Sequence, residues 1–447
     1  MNFTEFVNLT FSNIDQAISY LSKNTPKKSS KKTISKIAIF VYALSNGGAE
    51  RVAALMSSIF TSLGYEVVFL TRKKSSDYAI PPNTKVITIP ENKKRWQTLR
   101  QSLLEENVDT VITIDHLHGL TLSDILICKY LGLNVIVQEH CSFFLPFYAS
   151  DLWLLEKRKA VYKLADAVTC LNEHDQFMWQ ESGIQRCLYV PNPLSFDRTK
   201  VATPLAFSQR ENSVIFIGRL TELKGVRYLP KLIDLVSSQI PDVKFYILGR
   251  WGSRLLKRNF EASIKGMNSF IGFLGHTNNV DSFLNKAKVH INLSQVEGSP
   301  MVLNEARICG TPSVLFAKKY LDNAQQGCIH IEDSDINHLA NQVCQLITNQ
   351  QYWEKLSIEA QQNLDQWETP HLKTVWQKLF TYINNDSWPI YQQNESLASE
   401  LTALYDGLKV YNERTLESKL QNLKYCQGRN FKYNVLKSIC KLLNKFL

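Results

Sequence analysis

The 447-residue sequence contains no uncharged apolar run near the roughly 18 residues that would span a bilayer. Its longest apolar stretch, Ile37 to Leu44, has the length and β-branching of a buried strand. The first residues, MNFTEFVNLTFSNIDQ, carry acids early and no basic segment, so they do not resemble a signal peptide. We therefore expect a cytoplasmic protein without a membrane-spanning helix.

The sequence also lacks any C-x-x-C pair, and its nine cysteines are scattered. That pattern argues against a disulfide framework or a structural zinc site, and indicates a reducing compartment. No Asp-x-Asp pair follows the strands predicted in the first half of the chain. The acidic segment EDSD at 332–335 is expected to be a surface loop. We expect no metal and no other cofactor.

Acidic residues are outnumbered, with 41 Asp and Glu against 51 Lys and Arg, which gives a net charge of +10. Nucleic acid, anionic lipid and phosphorylated ligands all attract such a surface. The sequence has no RNP aromatics, zinc-finger spacing or helix-turn-helix spacing, so no nucleic-acid partner is expected. A membrane surface or a phosphate-bearing ligand remains, and charge alone does not choose between them.

The chain is too long for one core and fits two domains with extensions. Repeated strand, turn and helix patterns predict two doubly wound α/β domains, 36–195 and 210–384, joined by a polar linker. An amino-terminal extension and basic linker, 1–35, and a basic helical extension, 385–447, flank them. Strands are predicted at 36–44, 66–72, 85–90, 109–115, 134–140, 166–171, 187–194, 213–220, 244–250, 270–275, 289–294 and 312–316. Two such halves leave a cleft at the carboxyl ends of their strands.

The segment EGSPMVLNEA, Glu297 to Ala306, lies where a predicted strand gives way to a helix. Pro300 suits the first helical turn. Free amides at the start of that helix can bind a diphosphate, and Glu297 and Glu305 can hold hydroxyls at opposite ends of one nucleotide sugar. Alternatively, the two glutamates are a helix-terminal acid and a surface acid, and the motif alone leaves both interpretations open.

Upstream, IFIGRLTELKGV places Arg219 and Lys224 after Gly218, at the end of a predicted strand. Cations at that point can neutralise a leaving diphosphate. Seen alone, they would be interpreted as solvated basic residues. The order GRL…KG, LGR, FLGH and EGSPMVLNEA is much more specific than any single part.

With these motifs the sequence resembles the retaining glycosyltransferase family 4, of GT-B fold and bacterial surface-polysaccharide type, over about 36–384. The resemblance implies that Arg219 and Lys224 bind the donor diphosphate. Glu297 would hold the transferred sugar and Glu305 the nucleotide ribose. The further donor contacts that it implies are Gly218, Gly298, Ser299, Met301 and Val302.

The amino-terminal half carries matches to the same family. Asn46, Gly47 and Gly48, in NGGAERV, resemble the glycine loop that closes over donor and acceptor. His116, after a strand in TIDHLHG, matches the active-site histidine near the sugar. Glu139 and His140, at another strand end, are acceptor-contact candidates or simply a polar strand terminus.

The resemblance implies metal-independent transfer, with retention, of a hexose or N-acetylhexosamine from a nucleotide sugar, preferably a UDP-sugar, to a glycolipid or surface polysaccharide. A catalytically silent GT-B scaffold and a GT-B nucleotide-sugar epimerase are the alternatives. In the tail NVLKSICKLLNKFL, lysines recur every fourth residue beside an apolar stripe. This pattern is typical of a helix on an anionic membrane, or of one packed on its own protein.

Overall fold

The computed structural model describes residues 1–24, 34–45, 47–75, 77–92, 94–114, 119–149, 152–196, 198, 201–277, 279–318 and 320–389. Asn46, His116 and the basic helix predicted in the tail lie outside these ranges. Within them, two parallel sheets flanked by helices form the molecule, which confirms the predicted α/β class.

The first sheet has seven parallel strands in the order β3-β2-β1-β4-β5-β6-β7. The central strand β1 pairs with β2 from Lys36 opposite Glu66 and with β4 from Ile37 opposite Thr110. Because helices cover both faces, β1 reads as a continuous apolar run, and Ile37 to Val41 are all buried. The strands are β1 Lys36–Val41, β2 Glu66–Thr71, β3 Lys85–Thr88, β4 Thr110–Thr113, β5 Asn134–Gln138, β6 Ala167–Cys170 and β7 Cys187–Tyr189.

The second sheet has six parallel strands in the order β10-β9-β8-β11-β12-β13. Its strands are β8 Glu211–Ile217, β9 Lys244–Leu248, β10 Ile271–Gly275, β11 Ala287–Asn292, β12 Ser313–Phe316 and β13 Cys328–Ile331. Every predicted strand is present. The edge strand β13 was not predicted, because its four residues, CIHI, are too short for a clear periodicity.

The helices pack on the faces of the two sheets. They are α1 Phe3–Ser12, α2 Ile14–Asn24, α3 Gly48–Ser62, α4 Arg95–Glu105, α5 Gly119–Tyr130, α6 Leu145–Ala149, α7 Leu152–Tyr162, α8 Glu173–Glu181, α9 Leu229–Ser237, α10 Arg254–Ser263, α11 Val280–Lys286, α12 Met301–Ile308, α13 Ile336–Thr348, α14 Gln350–Ala360 and α15 Thr369–Asn385. Short 3-10 turns occur at Phe207–Gln209, Val226–Tyr228, Asn268–Phe270, Asp322–Ala324 and Asp365–Trp367.

The amino-terminal extension packs against the first domain. Helices α1 and α2 form a hairpin that packs on α5, with the Phe6 ring stacked on Tyr130 at a centroid distance of 4.5 Å. Phe6 is fully buried and belongs to the core of the first sheet. The aromatic residues Phe3, Phe6 and Phe11 of this extension therefore provide its contact with the domain.

The carboxyl-terminal helix α15 crosses back to the first domain. Its apolar face packs beside β1 and α3, where Trp376 meets Phe60 edge-on at 4.9 Å between ring centroids. The predicted donor domain, 210–384, is therefore corrected at its end: by packing, α15 belongs with the amino-terminal half.

The EDSD segment at 332–335 is exposed, as predicted. Among the described residues, no helix combines the length and the apolar character needed to cross a bilayer.

Candidate functional site

Most of the predicted site residues that the structure describes follow the carboxyl ends of strands in both sheets, and Met301, Val302 and Glu305 lie on α12. Gly47 and Gly48 follow β1, Lys224 follows β8, and Glu297 follows β11. Parallel strands bring such loops to one edge of a sheet, which is where α/β proteins bind ligands. The two halves contact each other at these edges, so the loops of both sheets meet in one place.

Helix α12 starts one residue later than expected. Pro300 is the residue before the helix, with φ −68° and ψ 115°, rather than part of its first turn. Its ring fixes φ near the value required there. The amides at the start of α12 therefore remain next to the loop 298–300, as an anion site requires.

Three asparagines hold the successive carbonyl oxygens of the loop 298–300. Asn172 donates its side-chain amide to the Gly298 oxygen at 3.0 Å, and Asn323 donates to the Pro300 oxygen at 3.0 Å. Asn192 lies 3.5 Å from the Ser299 oxygen, a longer contact. Sequence reasoning missed these residues, although Asn172 and Asn192 follow the ends of β6 and β7, where polar residues merit attention.

Asn172 is itself held by a buried carboxyl group. It donates to Asp175 Oδ2 at 3.0 Å, and Asp175 also accepts from the Phe143 amide at 2.9 Å and the Ser142 hydroxyl at 3.1 Å. Burial raises the pKa of Asp175 to about 7, against these hydrogen bonds, which lower it. The loop 298–300, called the donor loop below, is thus fixed from the amino-terminal half by a preorganised polar network.

Lys224 and Glu297 form an ion pair through Nζ and Oε1. The Glu297 side chain is 9% exposed and the Lys224 side chain is 32% exposed, so the pair opens towards solvent on the lysine side. Tyr320 donates its hydroxyl to the Glu297 carbonyl oxygen at 3.2 Å and so positions the backbone of this loop.

The other predicted cation, Arg219, is exposed at the end of β8, and it makes no ion pair with another residue that the structure describes. Gly218 beside it has φ 153° and open space where a Cβ would be. A third cation, Lys318, follows β12. Burial lowers the pKa of Lys318, and Asp333 and Glu297 oppose that shift. The sequence analysis had not singled it out.

Glu305 lies in the middle of α12 and forms an ion pair across the cleft. Arg51 Nη1 donates to Glu305 Oε1 at 3.1 Å. The Glu305 side chain is 7% exposed. Burial raises the pKa of Glu305, and the charge of Arg51 acts in the opposite direction. Sequence reasoning had named Glu305 but not its arginine partner.

The described part of the glycine loop lies next to the start of α12. A Cβ built on Gly48 would lie 3.7 Å from Met301 Sδ, and Met301 packs against the core beside β1 and α3. Tyr78 donates its hydroxyl to the Gly47 carbonyl oxygen at 3.1 Å. Val302, next to Met301, is half-buried.

The two acceptor candidates after β5 are placed differently. Glu139 is fully buried, and its two carboxylate oxygens are engaged by the Arg158 guanidinium and the Tyr162 hydroxyl. This corrects the acceptor hypothesis for Glu139, because its carboxylate is occupied inside the domain. His140 is half-buried, and a Cβ on Gly298 would lie 3.0 Å from its carbonyl oxygen. His140 therefore borders the donor loop and stays an acceptor candidate.

The part of the chain that the structure describes holds no group of three or more His, Cys, Asp or Glu residues arranged to bind a metal.

Gly225 fixes the loop that carries Lys224. It has φ 76°, and a Cβ there would lie 2.1 Å from the Leu293 carbonyl oxygen. We expect Gly225→Ala to cost more than about 2 kcal/mol of stability, because strain and a backbone clash add, and to weaken nucleotide binding by displacing Lys224. Gly266→Ala is the matched control in the same domain.

Gly266 has φ 92° and nothing within 4 Å of a built Cβ. Its substitution should therefore cost only about 1 kcal/mol and leave nucleotide binding unchanged. Differential scanning calorimetry and a nucleotide titration of both variants check this. Equal losses in the two variants would show that the approach to Leu293 does not position the loop.

Two family models match the chain, one in each half. The model of "Glycosyltransferase Family 4" matches residues 46–198, and that of "Glycosyl transferases group 1" matches residues 211–349. The two matches divide at the linker between the sheets and together cover well over half of the chain.

A relative in Campylobacter jejuni is 25% identical over 370 residues, which are 78% of this chain and 99% of the relative. It is an α-1,4-N-acetyl-D-galactosaminyltransferase named for a diphospho-undecaprenol-linked saccharide. Two solved structures share the fold, each with a TM-score of 0.64. TarM of S. aureus, solved with UDP, is 14% identical and covers 77% of this chain and 99% of its own. HepE of Anabaena, solved with UDP and glucose, is 15% identical and covers 78% and 99%.

The fold, the site and the matches define the chain as a glycosyltransferase with the two-domain GT-B architecture. It belongs to glycosyltransferase family 4.

Proposed function

We propose that this protein transfers a hexose or N-acetylhexosamine from a nucleotide sugar, preferably a UDP-sugar, to a glycolipid or a growing surface polysaccharide, with retention at the anomeric carbon. The observation that carries the proposal is the Lys224–Glu297 ion pair next to the start of α12. It combines a cation for a leaving diphosphate with a carboxylate for sugar hydroxyls.

In the proposed reaction, the bond from the anomeric carbon to the diphosphate breaks and negative charge develops on the leaving oxygen. Lys224, Arg219 and the amides at the start of α12 stabilise that charge. Glu297 accepts hydrogen bonds from hydroxyls of the transferred sugar, and Glu305 accepts them from the ribose. The acceptor hydroxyl attacks from the same face, and its proton passes to the leaving diphosphate oxygen. These residues do this work by position and charge, without a metal.

The acceptor and the place of action are inferred from chemistry and similarity. The Campylobacter relative is named for a lipid-linked acceptor, and the net charge of +10 suits an anionic surface. We therefore propose peripheral action at the inner face of the membrane. His116, Asn46 and His140 are the candidates for contacts to the transferred sugar and the acceptor.

A donor screen tests the proposal. Purified protein is titrated with UDP-, GDP- and ADP-sugars while nucleoside diphosphate release and thermal stability are recorded. We expect one nucleotide class to raise the melting temperature. Glu305→Ala should weaken that binding by roughly 10- to 100-fold, because hydrogen bonds to a charged group are lost.

Glu106→Ala is the matched control for that variant. Its carboxylate is also partly buried and paired with lysines, Lys36 and Lys85, but it lies at the amino end of β1, away from the cleft. The affinity of Glu106→Ala for the nucleotide should equal that of the wild type. Absence of any nucleotide effect at millimolar concentration would reject the transferase proposal and favour a silent scaffold.

A further inference from the structure

Arg51 makes three contacts that converge on the donor site. Besides the ion pair with Glu305, its Nη2 donates to the Ser195 carbonyl oxygen at 2.9 Å. Its guanidinium carbon lies 5.5 Å from the centroid of the Phe196 ring. Arg51 belongs to the first turn of α3, where its backbone amide donates to the Gly47 oxygen at 3.0 Å. The Arg51 side chain thus joins the linker between the halves to α12, and its backbone belongs to the helix that follows the glycine loop.

We propose that Arg51 is a positioning residue for the nucleotide: it holds Oε1 of Glu305 so that the carboxylate presents Oε2 to the ribose hydroxyls. This inference rests on the proposed function. It adds a residue of the opposite domain to the donor site and makes ribose binding depend on how the two halves and their linker are placed.

The opposite role, in which Arg51 blocks the ribose and must leave, fits the charges less well. Glu305 is almost fully buried, and ribose hydroxyls are neutral donors. If Arg51 left, a buried carboxylate would keep only neutral partners, which is costly. A guanidinium that stays on one oxygen compensates the charge and leaves the other oxygen for the ligand.

The charged neighbours of Glu305 define how the pair should respond to pH. Arg51 on α3 and a hydrogen bond from the Ser195 side chain lower its pKa, and Asp281 on α11 raises it. The Cys309 thiol lies at the carboxyl-terminal cap of α12. Burial keeps the pKa of Cys309 at about 12, so this thiol stays neutral below that pH. Removal of Arg51 therefore raises the pKa of Glu305 further, and the carboxylate protonates at a higher pH.

The test measures binding of UDP and of 2′,3′-dideoxy-UDP by calorimetry, with GDP and ADP alongside, to the wild type and to Arg51→Ala. In the wild type, loss of the ribose hydroxyls should weaken binding about tenfold. Arg51→Ala should weaken UDP binding by a similar factor and leave dideoxy-UDP unchanged. As the pH is lowered, the affinity of Arg51→Ala for UDP should begin to decline at a higher pH than that of the wild type.

Arg198→Ala is the matched control. Arg198 has a similar exposure, lies in the same linker region, and pairs with Glu368 at 2.6 Å and with Asp365. The variant Arg198→Ala should bind UDP with the affinity of the wild type. If the role of Arg51 is purely structural, Arg51→Ala will bind UDP and dideoxy-UDP more weakly by the same factor. If Arg51 blocks the ribose, Arg51→Ala will bind UDP more tightly. Either result overturns the inference.

The nucleotide titrations distinguish an error in the proposed function from an error in the role of Arg51. If the wild type binds none of UDP, GDP and ADP, the proposed function is wrong. If the wild type prefers UDP to dideoxy-UDP and Arg51→Ala keeps that preference in full, only the role of Arg51 is wrong. Arg51→Lys keeps the charge but loses the hydrogen bond to the Ser195 carbonyl oxygen. It should therefore restore the pH dependence of UDP binding more fully than the affinity for UDP.

Discussion

Replacement of Lys224 by alanine is expected to lower the turnover number by about 10²- to 10³-fold, the usual cost of losing one group that stabilises charge in a transition state. Lys224 is the cation that contacts Glu297 directly, and the loop that carries it is fixed against β11 through Gly225. The measurement is nucleoside diphosphate release at saturating donor, with KM for the donor recorded separately.

The alanine variant also leaves Glu297 without its partner, so two further variants separate the effects. Lys224→Arg keeps the charge and should retain more activity than Lys224→Ala. The double variant Lys224→Ala with Glu297→Gln should be little worse than Lys224→Ala alone, because residues that act as a unit are not additive.

Lys231→Ala is the control, since Lys231 forms an exposed ion pair with Asp234 on α9 in the same domain. It should keep wild-type turnover, as surface ion pairs contribute little. Retention of wild-type turnover by Lys224→Ala would remove the central support for the proposed reaction.

The sequence predicted the central strands of both sheets well, because a central strand of a parallel sheet is buried on both faces and reads as an apolar run. β1 and β11 are examples, with nearly every residue buried. The positions of the motif residues in the fold could also be predicted, because ligand-binding loops start where the strands end. β13 and the packing of α15 were harder, because a four-residue strand and a helix that crosses to another domain are decided by tertiary contacts.

The partners of the motif residues could not be predicted from the sequence. Arg51 and Glu305 are 254 positions apart, and Asn172 and Gly298 are 126 apart. No local pattern links such residues, because the contact depends on how the two halves meet. Glu139 shows the reverse error: a polar residue at a strand end was expected to face the cleft, but the nearby helix α7 supplies Arg158 and Tyr162, which bury it.

The second large effect is expected at this buried cluster. Arg158→Met should destabilise the protein by about 3–5 kcal/mol, because it leaves the Glu139 carboxylate buried without its cation. Both side chains have 0% exposure. Burial lowers the pKa of the Arg158 guanidinium, but the contacts with Glu139 and Tyr162 outweigh it and raise that pKa above its usual range. Thermal unfolding of the variant and the wild type measures the loss.

A second substitution distinguishes packing from acceptor binding. Arg158→Met combined with Glu139→Leu removes both charges, so it should recover most of the lost stability, since a buried pair can be replaced by apolar side chains at little cost. Glu139→Gln should lower the melting temperature while leaving KM for the acceptor unchanged. A raised acceptor KM in Glu139→Gln with wild-type stability would instead restore Glu139 to the acceptor site, and would mean that the loop after β5 opens to expose its carboxylate during the reaction.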